Sequence, residues 1–195
     1  VTALGLHIEG IGDLRAFEHL AAEAKRLGKP IVAIKAGRSD HAQAAAVSHT
    51  ASLTGSNAGA RALLARLRIA QVESLPRFLE TLKLIHFNGV LPSNKLVSLS
   101  CSGGEASLMA DTAEGHDVSF PPLAPAQVTR LREVLGPMVA LANPLDYHTF
   151  IWDDVPTMAN CFAAALEGEA EIGCLIVDYP RADRCDATAW ECTIE

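Results

Sequence analysis

Apolar and polar positions divide the chain into short apolar runs that alternate with segments of helical period. Residues 2–8 (TALGLHI) and Ile31–Lys35 (IVAIK) are compact apolar runs suited to buried strands. Between them Leu14, Phe17, Leu20, Ala21, Ala24 and Leu27 recur at helical spacing behind Asp13, a residue able to cap a first turn. Gly28-Lys29-Pro30 stops that helix. Strand, helix and strand in this order form a β-α-β unit, which implies parallel strands and a right-handed crossover. Further on, a helix is predicted over about 57–68 and a short strand over 70–73. Another helix opens at Ser74 or Pro76 and carries Phe78, Leu79, Leu82 and Ile85 on one face.

Residues 89–94 have the composition of a linker, and the architecture then repeats without residue-level similarity. A strand over 95–100 (KLVSLS), the tight turn Cys101-Ser102-Gly103-Gly104 and a helix over 105–114 come first. A short strand over 118–120, helices over 125–135 and 155–167, and an apolar strand over 172–178 follow. Alternation of this kind predicts an α/β fold with parallel sheets. The chain reads as two flavodoxin-like domains, 1–88 and 95–195, both truncated at the chain ends. Val1 begins in a strand-like run without an initiator methionine, and Glu195 falls in the first turns of a helix, so a piece of a longer polypeptide is expected.

Composition narrows the function. With 195 residues, 49% of them hydrophobic and 20% charged, the chain is ordinary globular protein with room for two domains of about 100 residues. A formal charge of -7 argues against sequence-independent binding to nucleic acid or to an anionic membrane, since both need a cationic surface. Arg61, Arg66 and Arg68 fall at helical spacing and read as a solvated face. No apolar run approaches the ~18 residues of a membrane span, and there is no secretory signal pattern. The five cysteines are widely spaced, odd in number and without CxxC spacing, which favours the reducing cytoplasm over disulfides or zinc. No metal site is expected.

Two segments have the composition of a phosphate site. His49 lies in VSHTASLTGSNAG (47–59), a small, hydroxyl-rich, glycine-containing stretch between an alanine-rich run and a helix. Neutral imidazole is a nucleophile whose phosphorylated form keeps a high transfer potential. It needs a carboxylate to orient the ring, donors for the phosphoryl oxygens and a loop free to move. Glu9, at the end of a strand in the same β-α-β unit, is the candidate orienting acid. Ser102, Gly103 and Gly104 join a strand to a helix, where free N–H groups and the helix dipole favour an anion; the alternative is a tight turn without a ligand. Neither GxGxxG nor a Walker lysine is present. S-C-S-G-G is not G-x-S-x-G, so a hydrolase using Cys101 or Ser102 is the weaker alternative. His7, His19, His41, His86 and His116 show no metal-ligand spacing. His148 stands apart in ANPLDYHTFIWD (142–153), where Asn143, Asp146 and His148 are a candidate substrate loop and Tyr147, Phe150 and Trp152 either line a cavity or pack.

The succession IEGI around Glu9, KPIVAIKAGRS (29–39), AAAVSHTASLTGS (44–56), SCSGGEASLMAD (100–111) and NPLDYH (143–148) closely resembles the NDP-forming acyl-CoA synthetases, relatives of ADP-forming acetyl-CoA synthetase and succinyl-CoA synthetase. The resemblance implies a ligase that joins a carboxylic acid to coenzyme A at the expense of ATP with Mg, through an acyl phosphate and a phosphorylated histidine on a swinging loop. It places that histidine at His49 and its supporting glutamate at Glu9. Ser102-Gly103-Gly104 becomes the amino end of one of two helices whose dipoles hold the phosphohistidine. The CoA-binding and ATP-grasp domains of such an enzyme have no counterpart in these residues and are expected elsewhere in the same enzyme, which is expected to be a homo-oligomer. The fragment is therefore expected to be inactive by itself. SCSGGEA and NPLDYHTFIW resemble the branch that activates bulkier acids, aromatic ones such as ferulate included. Ala51 departs from the family's SHTG and restricts the backbone beyond the histidine. The competing class is a noncatalytic flavodoxin-like binding or regulatory module.

Overall fold

The structure is a computed structural model that describes residues 1–37, 39, 41–42, 56–181 and 183–194. It divides into two compact units, Val1–Val90 and Leu91–Glu195. Each is built on a three-stranded parallel sheet.

In the first unit, strands β1 (Leu4–Ile8), β2 (Ile31–Lys35) and β3 (Ala70–Val72) lie side by side in that order. Leu4 pairs with Ile31, and the register runs on to Ile8 opposite Lys35. Helix α1 (Leu14–Arg26) begins at Asp13, whose carboxylate accepts from the N–H groups of Arg15 and Ala16. That bond satisfies donors a helix start would otherwise leave bare. Serine caps open α2 (Asn57–Arg66) at Ser56 and α3 (Leu75–Asn88) at Ser74. One sheet face buries Ile8, Ile31 and Ala33 against Ala21 and Ala24 of α1 and Leu64 of α2. Phe78 and Leu82 of α3 close on Gly5, where a Cβ would stand 2.7–2.8 Å from their tips. The α1 seam is made of alanines because Leu14, Leu20 and Leu27 stay largely exposed. Leu79 is 61% exposed rather than on the buried face of α3, because it lies a full 100° around the helix from Phe78.

In the second unit β4 (Leu96–Ser100) is central, flanked by the two-residue β5 (Leu145–Asp146) and by β6 (Ile172–Leu175). Val97 and Leu99 bury against Leu131 and Leu135 of α5 (Pro125–Leu135) and Met158 and Cys161 of α6 (Val155–Leu166). Helix α4 (Gly103–Ala113) packs on β4 and β5, and α7 (Thr188–Ile194) on α6. The strand expected over 118–120 reduces to one parallel bridge between Ser119 and Lys95. Asn143 ties that segment to the sheet instead: its amide donates to the carbonyls of Leu96 (2.8 Å) and Pro121 (3.1 Å) and accepts from Ser98 N (3.1 Å).

Gln127, almost fully buried, joins two helix ends: it donates to Ala165 O (2.8 Å) at the end of α6 and accepts from Ala124 N (2.8 Å) at the start of α5. Gly168 leaves it room, since a Cβ there would meet the amide at 2.4–2.7 Å. Gln127→Leu strands a carbonyl and an N–H at similar volume, so a loss of about 1–3 kcal/mol in urea unfolding is expected. An unchanged midpoint would show the bonds to be dispensable.

Candidate functional site

The carboxyl ends of parallel strands are where ligands gather in open α/β sheets, and both sheets carry polar groups there. In the first unit the chain leaves β1 through Glu9-Gly10-Ile11-Gly12, lining an open cleft of about 720 Å³ with Asp13 and Phe17. Beside it, His7, Lys35, Gly37, Ser39 and Glu73 line a second opening of about 490 Å³. Glu9 is exposed, and its carboxylate has no hydrogen-bond partner among the described residues. Lys35, in contrast, is only 3% exposed and donates to the main-chain carbonyls of Glu9 (2.8 Å) and Ala36. Burial lowers the pKa of the Lys35 ammonium, and the neighbouring Glu9 charge pulls it back up. Sequence reasoning missed Lys35; the signal was a lysine closing an otherwise apolar strand, IVAIK. His49 and Ala51 lie outside the described residues, as does Arg38.

In the second unit Ser102 caps α4, its hydroxyl accepting from Glu105 N and bonding the Glu105 carboxylate, both at 3.2 Å. Among the described residues the N–H groups of Gly103 and Gly104 have no hydrogen-bond partner, so two of the helix's leading donors are open. Asp146, at the end of β5, comes so near that a Cβ on Gly103 would stand 3.3 Å from its carboxylate. The Asp146 carboxylate accepts from His148 N (2.9 Å), and its other oxygen lies 3.6 Å from His148 Nε2. His148 holds a left-handed backbone (φ 59°) and stacks on Phe150 with ring planes 5° apart. Phe150 is 75% exposed, so the stacked pair presents an aromatic edge to solvent.

The candidate loop thus separates by role. Asp146 and His148 face one another at the sheet edge. Among the described residues the hydrogen bonds of the Asn143 side chain go to main chain, to Leu96, Ser98 and Pro121. Tyr147 is fully buried edge-on to Phe162, and Trp152 packs edge-on to Trp190, so both are packing residues.

The comparisons with known proteins meet this geometry from the other side. Residues 1–85 match the family described as "Succinyl-CoA ligase like flavodoxin domain". The alpha subunit of an ADP-forming acetate–CoA ligase from Pyrococcus furiosus is 32% identical over 145 residues, 74% of this chain and 31% of that relative. Over most of its length the chain is thus similar to ADP-forming acetate–CoA ligases. A trans-feruloyl-CoA synthase from an unknown prokaryotic organism is 26% identical over 180 residues, 92% of this chain and 25% of that relative. Among solved structures, an acetyl-coenzyme A synthetase of Ca. Korarchaeum cryptofilum, described as dinucleotide-forming and in complex with phosphate and ADP, superposes with a TM-score of 0.79. It is 25% identical, and the match covers 90% of the present chain and 38% of that one. The chain therefore spans about a third or less of the length of the curated relatives it matches.

The described surroundings of the SCSGG turn disfavour a hydrolase centre. The Cys101 thiol is pushed up by burial and by the carboxylates of Glu105, Asp178 and Asp146, which disfavours the thiolate. Ser102 is committed to Glu105, and among the described residues neither Cys101 nor Ser102 has a histidine partner. Any cleavage of a model ester by the full-length protein without nucleotide is expected to change by less than about 2-fold in Cys101→Ala. A loss beyond about 100-fold, the scale of a missing nucleophile, would restore a covalent role.

Proposed function

We propose that this chain is the central portion of an NDP-forming acyl-CoA synthetase, which makes acyl-CoA from a carboxylic acid, coenzyme A and ATP. The observation that carries the reading is the match to ADP-forming acetate–CoA ligases over 74% of the chain. The sheet edge supports it, since an exposed carboxylate, Glu9, stands at the strand end of the same unit that carries the His49 segment.

In this reading a ring nitrogen of His49 takes the terminal phosphoryl group of ATP, releasing ADP, while Glu9 accepts a hydrogen bond from the other ring nitrogen. The carboxylate of the acid then takes the phosphoryl group from His49 to give an acyl phosphate. Its carbonyl carbon is open to the thiol of coenzyme A, with phosphate as the leaving group. Ser102, Gly103 and Gly104 offer N–H donors for phosphoryl oxygens. Glu105 and Asp146 beside them set a negative background, so cationic groups from elsewhere in the enzyme must balance a phosphoryl group there. Among the described residues no cluster of three or more His, Cys, Asp or Glu side chains is formed. No step is assigned to Mg within this chain.

The CoA-binding and ATP-grasp functions are assigned to other parts of the same enzyme, working as a homo-oligomer in the cytoplasm. No helix among the described residues is long and apolar enough to cross a membrane, and the cysteines are free thiols. The exposed His148–Phe150 pair favours an acid with an aromatic or other flat group, ferulate being one example. The test is a panel of aliphatic and aromatic acids given to the full-length protein with ATP and coenzyme A. Acid-dependent ADP release with matching thioester formation is the expected result. Release with no acid, or none with any, would favour the noncatalytic module.

A further inference from the structure

We propose that Lys35 is a positioning residue for the phosphate relay, holding the main chain at Glu9 so that the Glu9 carboxylate is fixed against the relay histidine. The inference rests on the His49–Glu9 reading above and extends it to a residue that no part of that reading uses.

Burying an ammonium group is costly unless its hydrogens find acceptors, and Lys35 finds two at a telling place. The β1–β2 ladder ends where Ala36 N donates to Ile8 O at 2.9 Å. One residue further on, Glu9 O has no ladder partner; Lys35 Nζ reaches it at 2.8 Å and binds Ala36 O as well. The lysine therefore continues the pairing of β1 and β2 by one step beyond the sheet, at the residue whose carboxylate the relay requires. The next residues are Gly10 and Gly12, separated by Ile11, which leave the chain beyond Glu9 little stiffness of its own. Methionine would fill the same space with no ammonium to satisfy, so packing alone does not call for a lysine here.

The experiment measures the rate at which ATP labels histidine in the full-length protein, using the acid-labile, base-stable label as the readout. Lys35→Met is expected to slow labelling by at least 10-fold with KM for ATP unchanged, and Lys35→Arg, which keeps charge and donors, to stay within about 3-fold of wild type. Lys35→Gln, with a donor but no charge, is the variant read if Lys35→Met does not fold by circular dichroism; the same 10-fold slowing is expected. In a Glu9→Gln background the lysine substitution should cost less than 2-fold more, because its effect passes through Glu9. Wild-type labelling rates in both Lys35→Met and Lys35→Gln, or full additivity with Glu9→Gln, would overturn the inference while leaving the relay intact. Absence of label on wild-type protein would overturn the relay itself, and this inference with it.

Discussion

Replacing His49 with alanine in the full-length protein is expected to lower acid- and CoA-dependent ADP release by at least about 10³-fold, a barrier increase of more than about 4 kcal/mol. The effect is large because a covalent relay has no partial substitute: alanine offers no nucleophile, and none of the described histidines hydrogen-bonds the Glu9 carboxylate. Thermal melting of the same sample separates lost chemistry from lost fold. Release within 10-fold of wild type would mean that phosphate does not travel through His49.

Glu9→Gln is the second large effect, with a loss of roughly 10²–10⁴-fold in kcat expected from neutralising the acid that orients a catalytic histidine. The side chain is exposed at the end of β1 and free of described partners, so stability should change by less than about 0.5 kcal/mol. The main-chain carbonyl that receives Lys35 is untouched by this change. KM values for acid and coenzyme A should hold while kcat falls, because the lost interaction belongs to the phosphoryl-transfer step. A rise in KM with kcat preserved would move Glu9 from the relay to substrate binding.

Helices with unambiguous caps and periods were legible in the sequence. Asp13, Ser74 and Pro125 mark starts that the structure keeps, and Gly28 takes the positive φ (63°) that a chain leaving a helix often needs. Short elements were not legible. β5 is two residues inside a loop-like sequence and exists because Leu145 and Asp146 pair with Leu99 and Ser100, a long-range fact no local pattern encodes. The segment over 118–120 has strand composition, yet Asn143 supplies bonds that a longer ladder would have made. The same limit applies at the candidate sites. SCSGG announced a helix start with open N–H groups, but the carboxylates crowding it come from Asp146 and Asp178, far along the chain. Lys35 read as the polar end of a strand, and only the fold shows it buried and spent on the carbonyl of Glu9.

The central claim is that His49 carries phosphate, and the most direct measurement is chemical. Full-length protein is incubated with ATP labelled at the terminal phosphate, quenched, and split between acid and base. The account predicts a label that acid removes and base spares, that is absent from His49→Ala, and that is discharged when acid substrate and coenzyme A are added. A label on wild type that survives acid, or one that persists undiminished in His49→Ala, would contradict it.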